Sequence, residues 1–199
     1  MKTAIQVVVG TFIAAVLVPG VAVAQAKADE PIKTTLCELV KDAARFGGKM
    51  VEIRGRVLIA FEEFTLDTTK CDVNTIGDVW LEYGRGPKRQ PTTWCCGDMI
   101  PQDRLVVVQN PECRRFHNYL TAQYRIKGCY YSECHRYDVT ATMTGRFDAA
   151  EARTCPDGKS RCCYNEFGHL GFCCGRLVIQ SVSDVIAEPI DRSVYEKAQ

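Results

Sequence analysis

The sequence predicts a mainly β fold: a small closed or partly open barrel of about five strands, with accessory helices and many disulfides. Three observations carry that expectation. Two long stretches, 51–59 and 137–147, alternate apolar and polar side chains with a period of two. Each places a glycine, Gly55 or Gly145, on its apolar side in mid-strand, where a strand can bend or bulge as a small barrel requires. The chain also carries 12 Cys, an even count suited to a disulfide framework. With 46% hydrophobic and 25% charged residues, the composition is globular and excludes a disordered chain.

The elements follow in order. Thr35 and Glu38 form a capping box, T-x-x-E, at the start of a helix over 36–46. Leu36, Val40, Ala43 and Ala44 share one helical face, and Gly47-Gly48 end it. The first long strand follows and turns near Glu62-Glu63 into Phe64-Thr65-Leu66. Val79-Trp80-Leu81-Glu82-Tyr83 reads as another strand, closed by Gly84-Arg85-Gly86-Pro87, and 88–101 as a Pro- and Cys-bearing loop. Leu105-Val106-Val107-Val108 reads as a short strand. Asn110, Pro111 and Glu112 supply an N-cap, an N1 proline and a first-turn acid, so a second helix should run over 111–122. Residues 126–134 form a Cys-bearing turn. After the second long strand, 150–174 is a disulfide-pinned excursion with five Cys, and 177–186 is the last strand, stopped by Pro189.

At the N-terminus, Lys2 precedes an apolar run over 5–18. Pro19-Gly20 break it, and Ala22-Val23-Ala24 has the A-x-A form of a cleavage site. The run is too short for the ~20 residues of a membrane span. The reading is a signal peptide over 1–24 and a mature chain from Gln25. A flexible lead-in over 25–33, one domain over 34–187 and a charged tail over 188–199 complete the expected organisation. No Cys lies near the cleavage site, which argues against a lipid anchor. The expected location is periplasmic or extracellular.

Export places the cysteines where disulfides form and persist. They are Cys37, Cys71, Cys95, Cys96, Cys113, Cys129, Cys134, Cys155, Cys162, Cys163, Cys173 and Cys174, including three vicinal pairs. The expectation is that most or all are bridged, with the pairing left open and no intrinsic metal or cofactor. Metal handling is the alternative, with His117, His135 and His169 as further ligands, but the two CxxC knuckles of a structural zinc site are missing.

The segments Leu36-Cys37-Glu38-Leu39-Val40, Val51-Glu52-Ile53-Arg54-Gly55-Arg56-Val57 and Trp80-Leu81-Glu82 resemble a group of exported bacterial proteins of unknown function. The strand 139–147, Phe167-Gly168-His169-Leu170-Gly171 and the stretch from Leu177 to Val185 are similar to their C-terminal half. The resemblance spans about residues 34–187 and implies an OB-fold-like β-barrel; it brings no catalytic residues with it. The abundance of Cys, above all at 155–174, departs from that pattern. A β-sandwich is the alternative fold.

Among function classes, the chain from Gln25 carries equal numbers of acidic and basic residues, which argues against bulk-charge binding of nucleic acid. No G-x-S-x-G, HExxH, GxGxxG or P-loop motif is present. A hydrolase would need a site assembled only in space. The reading is therefore a non-enzymatic binding or envelope interaction module, its partner an oligosaccharide or an envelope protein. Trp80, Tyr83, Trp94, Tyr130 and Tyr131 are the candidate stacking residues, and His169, between glycines, a candidate ligand-loop residue. Trp80 is out of phase with Val79, Leu81 and Tyr83, so one of these two faces is core.

Overall fold

The computed structural model describes residues 30–60, 63–71, 78–84, 105–127, 134–150, 153–154, 161–162, 167–168 and 173–196. Its main body is a six-stranded mixed sheet. The strands are β1 (Ile32–Lys33), β2 (Lys49–Ala60), β3 (Glu63–Leu66), β4 (Val79–Tyr83), β5 (Tyr137–Ala149) and β8 (Gly175–Pro189). A separate two-stranded ladder joins β6 (Arg153–Thr154) to β7 (Arg161–Cys162).

The order β1-β2-β3-β4-β8-β5 closes on itself, because β2 pairs both β3 and β5. Strand β2 does this along its length: Lys49 to Val57 face β5, and Val57 to Ala60 face β3. The ladders are antiparallel except β4 with β8 and the short β1 with β2. The inner side of this ring is apolar. Val51, Ile53, Phe64, Leu66, Leu81, Met143, Phe147, Leu177 and Ile179 are almost wholly buried there.

The two mid-strand glycines serve different packing needs. A Cβ on Gly55 would stand 2.9 Å from the Leu66 side chain, so its absence makes room for Leu66. At Gly145, a Cβ would stand 2.2 Å from the Val178 carbonyl oxygen, and the β5–β8 register shifts there. A second register shift lies opposite Ala141. Asp184 sits there with φ 49°, in the left-handed region that a short polar side chain tolerates.

The expected first helix is interrupted at Asp42, giving α1 (Leu36–Lys41) and α2 (Ala43–Phe46). Its capping box is formed as read: the Glu38 amide donates to Thr35 Oγ1, and the Thr35 amide to Glu38 Oε2. Helix α3 (Pro111–Thr121) starts with Asn110 Oδ1 accepting from the Cys113 amide at 2.6 Å. It buries Cys113, Phe116 and Leu120, one face of the helix, against the ring. Its first turn also holds β8: Asn110 Nδ2 donates to the Val182 carbonyl, and Glu112 accepts from the Val185 amide.

Two expectations are corrected. The run 105–108 is no strand of its own; only Val106 makes a bridge, and the Val108 amide donates to Gln180. Val107 is buried while Val106 and Val108 are about half exposed, so the run alternates like a strand without extending into a ladder. The tail also forms a helical turn, α4 (Ser193–Glu196). Among the described residues, no helix is long and apolar enough to cross a membrane.

Of the six cysteines whose side chains are described, four are bridged and two are not. Cys37 is bridged to Cys71, tying α1 to the segment after β3, and Cys134 and Cys174 are also disulfide-bonded. Cys113 and Cys173 are buried free thiols. Cys113 packs with the apolar face of α3, acting as a small hydrophobe. The other six cysteine side chains lie outside the described residues.

Candidate functional site

Strand alternation gives β4 two faces. Val79, Leu81 and Tyr83 point into the ring, and Trp80 and Glu82 point out. Yet Trp80 is 4% and Glu82 3% exposed, so the outer face is covered too. Register explains what gathers there. Trp80 pairs with Arg176 on β8, which pairs with Asp148 on β5; Glu82 and Arg146 flank Val178 in the next row.

The charges in these rows form one network. Arg176 Nη1 donates to Glu82 Oε2 at 3.2 Å, while its Nε and Nη2 donate to Asp148 Oδ2. Arg146 grips the same carboxylate through Nε at 2.7 Å and Nη2 at 2.9 Å. Burial pushes the Asp148 carboxyl up, but the two guanidinium groups outweigh it and hold the net value below the usual carboxylate range. Buried charges persist where partners replace the lost water, and each carboxylate here has one.

Phe167, Gly168 and Cys173 lie over this network. The Arg176 guanidinium is 4.8 Å from the centre of the Phe167 ring. Gly168 lies so close to the Trp80 indole that a Cβ there would be 2.7 Å from the ring and 3.2 Å from Cys173 Sγ. Paired backbone bonds between Phe167 and Cys173 hold the two sides of this segment together. Burial pushes the Cys173 thiol up to about 12, with Asp78 and Glu63 adding to the shift.

Two candidate stacking residues are therefore corrected. Trp80 is an outward residue covered by the chain's own Gly168, and at 4% exposure its ring is closed to a ligand. Tyr83 is wedged among Phe64, Phe116 and His117, with ring centroids 5.7, 6.5 and 6.2 Å away. Among the described residues its hydroxyl is buried without a hydrogen-bond partner, and burial, helped by Cys113, raises its pKa. Trp94, Tyr130, Tyr131 and His169 lie outside the described residues. Among the described residues, no three His, Cys, Asp or Glu side chains gather to hold a metal ion.

An open concavity lies elsewhere, where the second half of β2 meets the start of β5. It has a volume of about 200 Å³ and is lined by Arg56, Ile59, Leu120, Tyr137, Asp138 and Tyr195, among others. Arg56 spans two carboxylates: Nε donates to Asp138 Oδ1 at 2.6 Å, and Nη1 to Asp67 Oδ2 at 2.9 Å. Bonds from Thr69 and then from Arg56 outweigh burial and keep the Asp67 carboxyl below its ordinary value.

Tyr137 and Tyr195 are the tyrosines of its lining, and further groups pack on Tyr137. Tyr119 meets Tyr137 edge-on at 4.9 Å, and Arg136 lies 5.5 Å from the Tyr124 ring and 5.9 Å from the Tyr137 ring. The C-terminal segment is drawn in by the Tyr124 hydroxyl donating to the Ile190 carbonyl and by the Ile190 amide donating to Arg136. It brings Tyr195 to the cleft, where burial raises the phenol's pKa. Sequence reading missed this site because its residues come from 56–59, 120, 135–139 and 190–195. The spacing of tyrosines along 119–137 was its only local signal. No protein family, curated protein or solved structure matches the chain, so the site is read from its own geometry.

Proposed function

We propose that the chain is an exported, disulfide-stabilised module with an OB-like barrel, and that it works by binding rather than by catalysis. The partner is an oligosaccharide or another protein of the cell envelope. The barrel reading is supported by the closed strand order, by the parallel pair β4–β8, and by α3 falling between β4 and β5. Export is supported by the apolar run and A-x-A site before Gln25 and by the disulfides.

The observation that carries the binding reading is the tyrosine-walled cleft beside Arg56 and Asp138. Concave, partly apolar sites with a few convergent polar groups are where ligands bind. The outer face at Trp80 is filled by the chain itself, whereas the cleft is an open concave surface among the described residues. The test is retention of the purified mature protein on immobilised envelope polysaccharide and on envelope proteins. Retention on one of them, weakened by Tyr195→Ala, is expected; retention on neither would sink the reading.

A further inference from the structure

We propose that the cleft at Arg56, Asp138, Tyr137 and Tyr195 binds one neutral pyranose ring, which names the ligand class within the binding function proposed above and rests on it. Size sets the first limit. Its volume of about 200 Å³ lies below the roughly 300–1,000 Å³ of pockets for drug-sized molecules, so a single ring fits and an extended chain does not.

Charge sets the second. Among the lining residues Arg56 is the one guanidinium, and it is already held between two carboxylates, which disfavours a phosphate or carboxylate ligand there. Asp67, with its side chain 5% exposed, is turned away from water, while Asp138 at 32% stays accessible.

The unused hydrogen-bonding positions set the third. Arg56 spends Nε on Asp138 and Nη1 on Asp67, and among the described residues its Nη2 has no hydrogen-bond partner. Asp138 spends Oδ1 on Arg56, and its Oδ2 has none either. A donor and an acceptor are thus held side by side by a 2.6 Å ion pair. A hydroxyl group both donates and accepts, so two neighbouring hydroxyls of a sugar match this pair. The C–H face of a pyranose is apolar and suits Tyr137, Tyr195 and Ile59, which line the same cleft.

The experiment is saturation-transfer NMR on the full-length mature protein with the methyl pyranosides of glucose, galactose, mannose and N-acetylglucosamine. Transfer to the ring protons of at least one of them is expected. Asp138→Ala and Tyr195→Ala should each weaken that binding about tenfold, because each removes a direct contact. Tyr195→Phe keeps the ring and should retain binding, as should Arg115→Ala on the exposed face of α3. Circular dichroism identifies any variant that fails to fold, and Tyr195→Phe then carries the comparison with wild type under competition by a second pyranoside. Absence of transfer from all four pyranosides would overturn the proposal. Transfer that survives both alanine variants would also overturn it, by placing the sugar elsewhere. In either case, retention on envelope protein would leave the binding-module reading standing.

Discussion

Gly145 and Gly168 are two close approaches, where a Cβ would stand 2.2 Å from the Val178 carbonyl oxygen and 2.7 Å from the Trp80 ring. At Gly145 a methyl group would meet the Val178 backbone, which cannot swing aside as a side chain can. Gly145→Ala should therefore cost about 1–3 kcal/mol or more, read as a lower midpoint in urea denaturation. An unchanged midpoint would mean that the β5–β8 bulge has more slack than the geometry allows. Gly168 adds a backbone demand, with φ +76° against the Trp80 ring. The free cysteines give a second expectation at this scale. Burial raises both thiols, Cys173 to about 12, so almost no thiolate exists at pH 8. Iodoacetamide at pH 8 should leave Cys113 and Cys173 unmodified in the native protein and alkylate both after denaturation, as read by peptide mapping. Rapid labelling of either in the native state would contradict their burial.

The elements differ in how far the sequence announces them. The capping box of α1 and the Asn110-Pro111 start of α3 are local devices, and both form where residues three or four apart say they should. Strands β2, β4 and β5 are legible because alternation or β-branching runs through each. The run 105–108 has strand-like composition and buries Val107, but it makes a single bridge, and propensity alone does not make a ladder. The covered face is illegible for another reason. Glu82, Asp148 and Arg176 each read as polar residues of a solvated face, and only the pairing of three distant strands joins them. Their ion network gives a pH expectation. The Asp148 carboxyl is depressed in the folded state, so its stabilisation is present above the ordinary Asp value of about 3.9 and is lost as pH falls through the folded value. Acidification below about pH 4 should expose Trp80, and Asp148→Asn should remove that part of the acid response. The Cys37–Cys71 bridge, with a sequence separation of 34, should contribute about 3–4 kcal/mol by restricting the unfolded chain. The double variant Cys37→Ala/Cys71→Ala should lose that amount in chemical denaturation, and a loss under 1 kcal/mol would sink the estimate.

At the scale of the whole molecule, the structure has two layers that differ in what holds them. The ring of strands is closed by its own ladders and filled by an apolar core, whose buried cluster also takes in Cys71, Cys173 and Cys174. The layer over Trp80 and Arg176 has less of both. It is held by the Phe167–Cys173 backbone pair, by the packing of Phe167 on Arg176, and by the disulfide at Cys174. Segments with few buried apolar contacts open at lower free energy than the core. Reduction of the disulfides by a dithiol should therefore loosen the outer layer before the ring melts. The chain has two tryptophans, so a Trp94→Phe background leaves Trp80 as the sole reporter. In that background, the emission of the reduced protein should shift to the red at a lower urea concentration than the far-UV circular dichroism transition. The oxidised protein should show the two transitions together, because the disulfide at Cys174 ties the end of the layer, next to the first residue of β8, to another point of the chain. Coincident transitions in the reduced protein would mean that the covering segment is an integral part of the ring's cooperative unit, and that the outer face of β4 never opens without global unfolding.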